Sequence, residues 1–155
     1  MEMETNLTET YHSPSLEAPL FDRIRAHTAD EVNQRIDEQI LRNVEEHSHS
    51  PEAIERRLEA LDHEWDIDRA LMANFSLVAF SALMAGIFRN RRFLALPAIQ
   101  IPFLFWHAAE GWCPPLPLFR RMGFRTRQEI EAEKMELRKA GARNYHSLTQ
   151  ALPIQ

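Results

Sequence analysis

The chain has 155 residues, with 18 lysines and arginines against 23 aspartates and glutamates, for a net charge of −5. This length allows one compact unit with short extensions, and the acidic balance argues against a nucleic-acid-binding surface. A single cysteine excludes an internal disulfide framework and every multi-cysteine zinc pattern. The charge is unevenly distributed, because residues 1–69 hold 18 acids and 7 bases whereas residues 70–155 hold 5 acids and 11 bases. The long apolar stretches follow directly after this boundary.

Residues 1–27 are polar, contain Pro14 and Pro19, and show no hydrophobic period. This composition predicts a disordered segment. The first 20 residues are acidic and have no apolar run. We therefore expect no cleavable signal, and the first apolar span would itself direct membrane insertion.

Residues 28–66 are predicted to form an acidic amphipathic helical hairpin. Thr28 and Glu31 have the spacing of a capping box, and apolar residues recur every four positions behind them, which indicates a helix over about residues 29–46. Ser50 and Pro51 suit the start of a second helix. Its apolar residues have heptad spacing: they are Ile54, Leu58, Leu61 and Trp65.

The acidity of these two helices predicts where they lie. Residues 29–68 carry 13 acids and 4 bases, and an anionic membrane surface repels such a segment. We therefore expect the two apolar seams to meet each other or a partner protein, with the hairpin standing off the membrane.

Residues 67–119 are predicted to form a transmembrane helical hairpin. Residues 70–88 contain no charge, and a helix of this length spans ~28 Å, close to the ~30 Å of a bilayer core. A four-residue polar turn precedes a second span over residues 93–112. The alternative is a hairpin buried in a soluble protein, but a soluble helix normally shows a polar face, and the polar residues of the first span form no stripe.

Within the hairpin, Ala82 and Gly86 are spaced to let a second helix approach closely. Pro97 and Pro102 predict a bend in the second span near residues 99–102. Three arginines lie in the turn and seven in the outer flanks. The excess in the flanks places both termini on the cytoplasmic side.

Residues 120–155 are predicted to form a cytoplasmic helix and tail. Thr126 and Glu129 repeat the capping-box spacing, and the helix is expected to stop near Gly141. Few of its residues are strongly apolar, which indicates a solvated helix. The whole chain is thus predicted to be all-α.

The candidate site lies at the end of the second span, where His107 and Glu110 share one helical face. Ionisable residues in a membrane span are costly and are functional candidates by default. If the spans pair across the turn, Glu110 lies near Arg69 and His107 near Asn74. These pairs either lock the two helices together, or His107 and Glu110 handle protons or bind a metal or cofactor.

Cys113 is the only thiol and is expected at the water boundary. It follows a helix C-terminus, whose partial negative charge disfavours the thiolate. Cys113 is therefore either a packed, inert residue or a redox, persulfide or ligand residue with His107 and Glu110 as partners. Haem or metal binding at Cys113 and His107 is a weaker alternative, and we expect neither a metal nor a cofactor.

Ile67-Asp68-Arg69 precede the first span, the turn is very short, and Gly111-Trp112-Cys113-Pro114 close the second span. In these features residues 65–124 resemble the YgaP-like transmembrane domain family of bacterial inner-membrane proteins. The resemblance implies a two-helix inner-membrane domain, often with no assigned activity. Some relatives carry a rhodanese sulfurtransferase domain, but residues 1–64 lack the cysteine-containing loop of rhodaneses. The resemblance therefore implies at most thiol or sulfur chemistry near Cys113.

These patterns predict a small, non-enzymatic protein of the bacterial inner membrane that serves as a membrane-anchored interaction or assembly module. Its expected partners are the lipid bilayer and either a second copy or another helical protein, and not nucleic acid. The alternative function is thiol or sulfur handling at Cys113.

Overall fold

The computed structural model describes residues 22–151, and side chains up to residue 146. Within this range every regular element is a helix, which confirms the predicted all-α class. The elements are α1 (Arg23–Ala26), α2 (Asp30–His47), α3 (Pro51–His63), α4 (Ile67–Phe88), a 3₁₀ turn (Arg91–Leu94), α5 (Ala95–Glu110), α6 (Leu116–Arg121) and α7 (Arg127–Ala151). Two of the helices, α4 and α5, belong to segments that are long and apolar enough to cross a membrane.

The prediction of disorder over residues 1–27 is wrong for its last part, and residues 1–21 lie outside the described residues. Asp22 caps α1, since its carboxylate accepts hydrogen bonds from the backbone N–H groups of Ile24 and Arg25. Ile24 is buried against the base of α4 and α5. This packing and capping order a segment that shows no hydrophobic period.

The capping box predicted at Thr28 does not form. The helix begins one residue later, at Asp30, with Ala29 as a cap that makes no side-chain hydrogen bond. Thr28 instead donates its hydroxyl hydrogen to the carbonyl of Ile24, at 2.7 Å. By contrast, the predicted start of α3 is confirmed, because Ser50 Oγ accepts the N–H of Ala53 and Pro51 occupies the first turn.

Helix α7 is not the solvated helix that its composition predicts. Its residues Ile130, Leu137 and Ala140 are buried with Ile54 and Leu61 of α3, and α7 also packs on α2. It continues past the predicted end at Gly141 to Ala151, and in this extension Asn144 Nδ2 donates to the carbonyl of Ser48. We call α2, α3 and α7 the head.

Helices α4 and α5 pack against each other and form what we call the hairpin. At the turn end of α4, Gly86 lets the side chain of Leu94, the last residue of the 3₁₀ turn, pack against the helix backbone. A Cβ at position 86 would lie 2.4 Å from this side chain. Gly111 ends α5 in the left-handed conformation, with φ of 76°. Pro115 and Pro117 lie at the start of the next helix, α6.

Arg120 is the centre of a buried ionic network between the hairpin and the head, and only 1% of its side chain is exposed. Its guanidinium binds both oxygens of Glu129, at 2.7 Å each. The remaining N–H groups donate to the Thr28 hydroxyl, the Asn33 amide oxygen and the Phe124 carbonyl. All five donors of this arginine are thus used, which is what a buried guanidinium requires.

Glu129 also accepts a hydrogen bond from Arg25 and one from the backbone N–H of Thr126. Thr126 Oγ1 accepts the N–H of Glu129 in return. The predicted capping box of α7 is therefore confirmed. The same carboxylate caps a helix and neutralises two arginines.

A second buried pair lies one helical turn further along α7. Glu133, whose side chain is fully buried, accepts hydrogen bonds from Arg57 and from Arg125. Arg125 also binds both oxygens of Glu64. These bonds join α3, the segment before α4 and α7.

We expect Arg120→Ala to cost about 3–5 kcal/mol of unfolding free energy, because it leaves the buried Glu129 without its bidentate partner. The neighbouring Arg121 is exposed, so Arg121→Ala should change stability by less than about 0.5 kcal/mol. Thermal unfolding of the detergent-solubilised variants measures both values. Equal stability of the two variants would contradict the assigned role of the network.

Burial raises the pKa of Glu129 and Glu133, but the hydrogen bonds and charges of Arg120, Arg57 and Arg125 outweigh it. Both pKa values therefore lie below the ordinary value of 4.5. Because the folded pKa is depressed, this contribution to stability is complete above pH 4.5 and is lost as the pH falls through the lowered pKa values.

Thermal unfolding should therefore shift to lower temperature below pH 4.5 as these two glutamates are protonated. In Glu129→Gln this acid-dependent shift should be smaller, while stability at pH 7 should already be reduced. If the unfolding temperature of Glu129→Gln falls below pH 4.5 by as much as that of the wild-type protein, groups other than Glu129 cause the pH dependence.

Candidate functional site

A cleft of about 900 Å³ lies between α4 and α5. Its α4 wall consists of residues on one face of the helix, from Asp68 near the head to Ala79 in mid-span. Its α5 wall extends from Pro97 to the end of the helix. Apolar side chains such as Phe75 and Leu104 line its length, so most of the cleft can only accommodate an apolar group.

The end of the cleft near the head is polar and is closed by two other elements. Asp22 and Arg23 contribute from the start of α1, and Arg127 and Gln128 from the start of α7. Arg23 Nη1 donates to the carbonyl of Ala109, at 2.6 Å. This bond ties α1 to the C-terminal end of α5, where carbonyls lack helical partners.

His107 lies in this polar end, and 8% of its side chain is exposed. Its Nε2 lies 3.1 Å from a carboxylate oxygen of Asp68. The predicted pairing of His107 with Asn74 is therefore wrong. Asn74 is half-buried on α4.

The predicted pairing of Arg69 with Glu110 is wrong as well. Among the described residues no ion pair joins them; Glu110 is exposed, and the Arg69 guanidinium lies 4.7 Å from the centroid of the Trp65 ring. The pairing assumed that Phe88 faces Phe93. The residues before α5 instead form a 3₁₀ turn, which rises more per residue than an α-helix and moves the register.

Cys113 is fully buried, not at the water boundary as expected. It belongs to the apolar cluster at the base of the hairpin, with Leu71 and Leu116. Its thiol lies near the imidazole of His107 but makes no hydrogen bond to Nδ1 of that ring. The structure therefore pairs His107 with Asp68 and places Cys113 nearby; of these three residues, His107 and Cys113 were candidates from the sequence.

Three buried side-chain atoms have no hydrogen-bond partner in the part of the chain that the structure describes: Gln100 Oε1, His107 Nδ1 and Gln128 Oε1. All three residues line the cleft. Buried polar atoms are nearly always paired, so their coincidence in one cavity marks it as the candidate site. The sequence contained one signal for it, since Gln100 is the only amide in the second apolar span.

The side chains that could hold a metal do not come together. Across residues 22–146 no group of three His, Cys, Asp or Glu has the arrangement that a metal ion needs. The imidazole of His47 is hydrogen-bonded to the carbonyl of Asn43. The geometry therefore gives no support to the metal alternative at Cys113 and His107.

No protein family, curated protein or solved structure matches this chain at a significant level. The resemblance to the YgaP-like domain stays a prediction. The site and the surfaces of the protein are therefore the basis on which we infer its function.

Proposed function

We propose that this chain is a membrane-anchored interaction or assembly module. The hairpin crosses the bilayer, and the head stands outside it and recruits a second protein. One observation carries the proposal, namely that the exposed apolar side chains are concentrated on the hairpin, whereas ion pairs and acidic residues cover the head.

Fifteen of the twenty large apolar side chains that are exposed in the described chain lie between Met72 and Trp106. In the two candidate spans, only 22% and 6% of the most apolar stretch is buried. The core helix of a soluble protein would be mostly buried. Lipid is therefore the solvent that suits this surface.

Polar residues mark both ends of the hairpin. Asp66 caps α4 at the end near the head, through a 2.7 Å bond to the N–H of Arg69. Arg89, Arg91 and Arg92 lie at the turn and are exposed. The 22 residues of α4 give ~33 Å of rise between these ends, which matches the hydrocarbon thickness of a bilayer.

The surface of the head indicates the chemistry of a partner. Nine acidic and three basic residues are exposed on α2 and α3. Glu52, Glu55 and Glu59 form a stripe on α3, with spacings that place them on one face. Such a surface repels an anionic membrane and a second copy of itself. It suits a protein with a basic surface.

The membrane placement is tested with single cysteines in a Cys113→Ser background. In bacterial cells, Asn90→Cys at the turn should react with a membrane-impermeant maleimide, and Glu59→Cys in the head should react only after lysis. The protein should also stay in the membrane pellet through an alkaline carbonate wash. A compact species in the detergent-free supernatant would refute the placement.

The acidic stripe is tested by crosslinking in the membrane. Charge reversal by Glu55→Lys and Glu59→Lys should reduce the yield of a crosslinked partner at least about fivefold and weaken its dependence on salt. Gln39→Lys on the exposed face of α2 adds a charge elsewhere and serves as control. An unchanged yield in the α3 variant, or the absence of any crosslinked partner, would contradict the proposed recruitment.

A second candidate function is thiol or sulfur handling at Cys113. The observation in its favour is the order Asp68, His107 and Cys113, in which a carboxylate orients an imidazole next to a thiol. An imidazole held in this way can accept the proton of a thiol. The thiol is buried, so a substrate reaches it only when α1 or α6 moves.

For this second candidate, mass spectrometry of the purified protein should find a persulfide or sulfenate on Cys113. Asp68→Asn should lower the modified fraction, because the imidazole loses its orienting carboxylate. Asp66→Asn is the control, because it changes a nearby carboxylate that does not bind His107. An unmodified thiol in the wild-type protein would remove the candidate.

A further inference from the structure

We propose that the cleft between α4 and α5 binds an amphiphile whose head group donates hydrogen bonds. Long-chain alcohols and amines, and membrane lipids with hydroxyl or ammonium heads, have this chemistry. The proposal rests on the membrane placement proposed above and is independent of the partner at the head.

The cleft has the dimensions of a ligand site. Its volume of about 900 Å³ falls in the range of about 300–1,000 Å³ that is usual for small-molecule pockets. From Ala79 to Asp68 the α4 wall covers twelve residues, or ~16 Å along the helix. An alkyl chain can lie along this wall between Phe75 of α4 and Leu104 of α5.

The unpaired atoms define the head group. Gln100 Oε1 and Gln128 Oε1 are hydrogen-bond acceptors. His107 Nε2 is paired with the Asp68 carboxylate, and its Nδ1 has no hydrogen-bond partner among the described residues. The two unpaired glutamine oxygens along one cavity favour a ligand that supplies donors, because leaving them unpaired in an apolar surrounding is costly.

The charged groups of the lining do not favour an anionic head. Arg23 is bound to the carbonyls at the end of α5, and Arg127 is exposed at the mouth, where water screens it. Asp68 is about half exposed and keeps a carboxylate near the polar end. A hydroxyl or ammonium head fits this arrangement. A carboxylate head has no donor for the glutamine oxygens and would be repelled by the Asp68 carboxylate.

The test uses the full-length protein in detergent micelles and a dodecanol analogue that carries a photoreactive diazirine on its chain. Mass spectrometry should locate the label on the cleft faces of α4 and α5, between Met72 and Ala79 and between Gln100 and Ala108. Unlabelled dodecanol and dodecylamine should compete at least about tenfold better than methyl dodecanoate, which has the same chain and no donor.

Two serines of α4 provide a matched pair of variants. Both serines are exposed, but Ser76 lines the cleft and Ser81 lies outside its lining. Ser76→Leu should fill the cleft and lower labelling about tenfold, and Ser81→Leu should not. Gln100→Leu keeps an apolar wall and removes an acceptor, so it should reduce the preference for the alcohol over the ester about threefold to tenfold.

Labelling spread evenly over the lipid-facing side chains of the hairpin, or no labelling, would overturn the proposal. Equal competition by the ester would overturn the assigned head group. Both results are distinct from a failure of the membrane placement, which the carbonate wash and the maleimide reactions measure separately. Thermal unfolding of each variant shows whether a loss of labelling reflects a loss of the fold.

Discussion

The bidentate pair of Arg120 and Glu129 joins the two parts of this protein. Arg120 belongs to the segment that follows the hairpin, and Glu129 lies in the first turn of α7 in the head. Both side chains are almost fully buried. A pair without water is stable only when every donor and acceptor is satisfied. Thr28, Asn33 and Arg25 complete the set, so α1 and α2 must be in place before the pair is fully bonded.

This requirement explains how one short chain can hold together two parts with different surfaces. The hairpin presents apolar side chains outward, and the head has an apolar core under a charged surface. Apolar contact alone would not fix the head relative to the hairpin, because apolar packing has little directional preference. Hydrogen-bonded ion pairs are directional. The pairs of Arg120 and Arg125 thus set the position of α7, whose first residues close the cleft.

The cleft and the buried network differ in how completely their polar groups are satisfied. In the network, Arg120 uses all five donors and Glu129 accepts four hydrogen bonds. In the cleft, three side-chain atoms have no hydrogen-bond partner within the described part of the chain. Since a protein that needed only stability would fill such a cleft with apolar residues, the contrast supports a binding role for the cleft and a structural role for the network.

Sequence patterns alone determined the helical class, the two long apolar segments, the start of α3 and the capping box of α7, because these depend on residues within a few positions of one another. Tertiary structure decided the burial of α7, the structure of residues 22–27 and the partners of His107. Each of these depends on residues far apart in the chain: α7 is buried only because α2 and α3 leave a face uncovered, and Asp68 meets His107 only through the register set by the 3₁₀ turn. His107 in the second span indicated one end of the cleft, whereas Gln100 was not recognised as part of it, because only the tertiary structure shows which polar atoms are left unpaired.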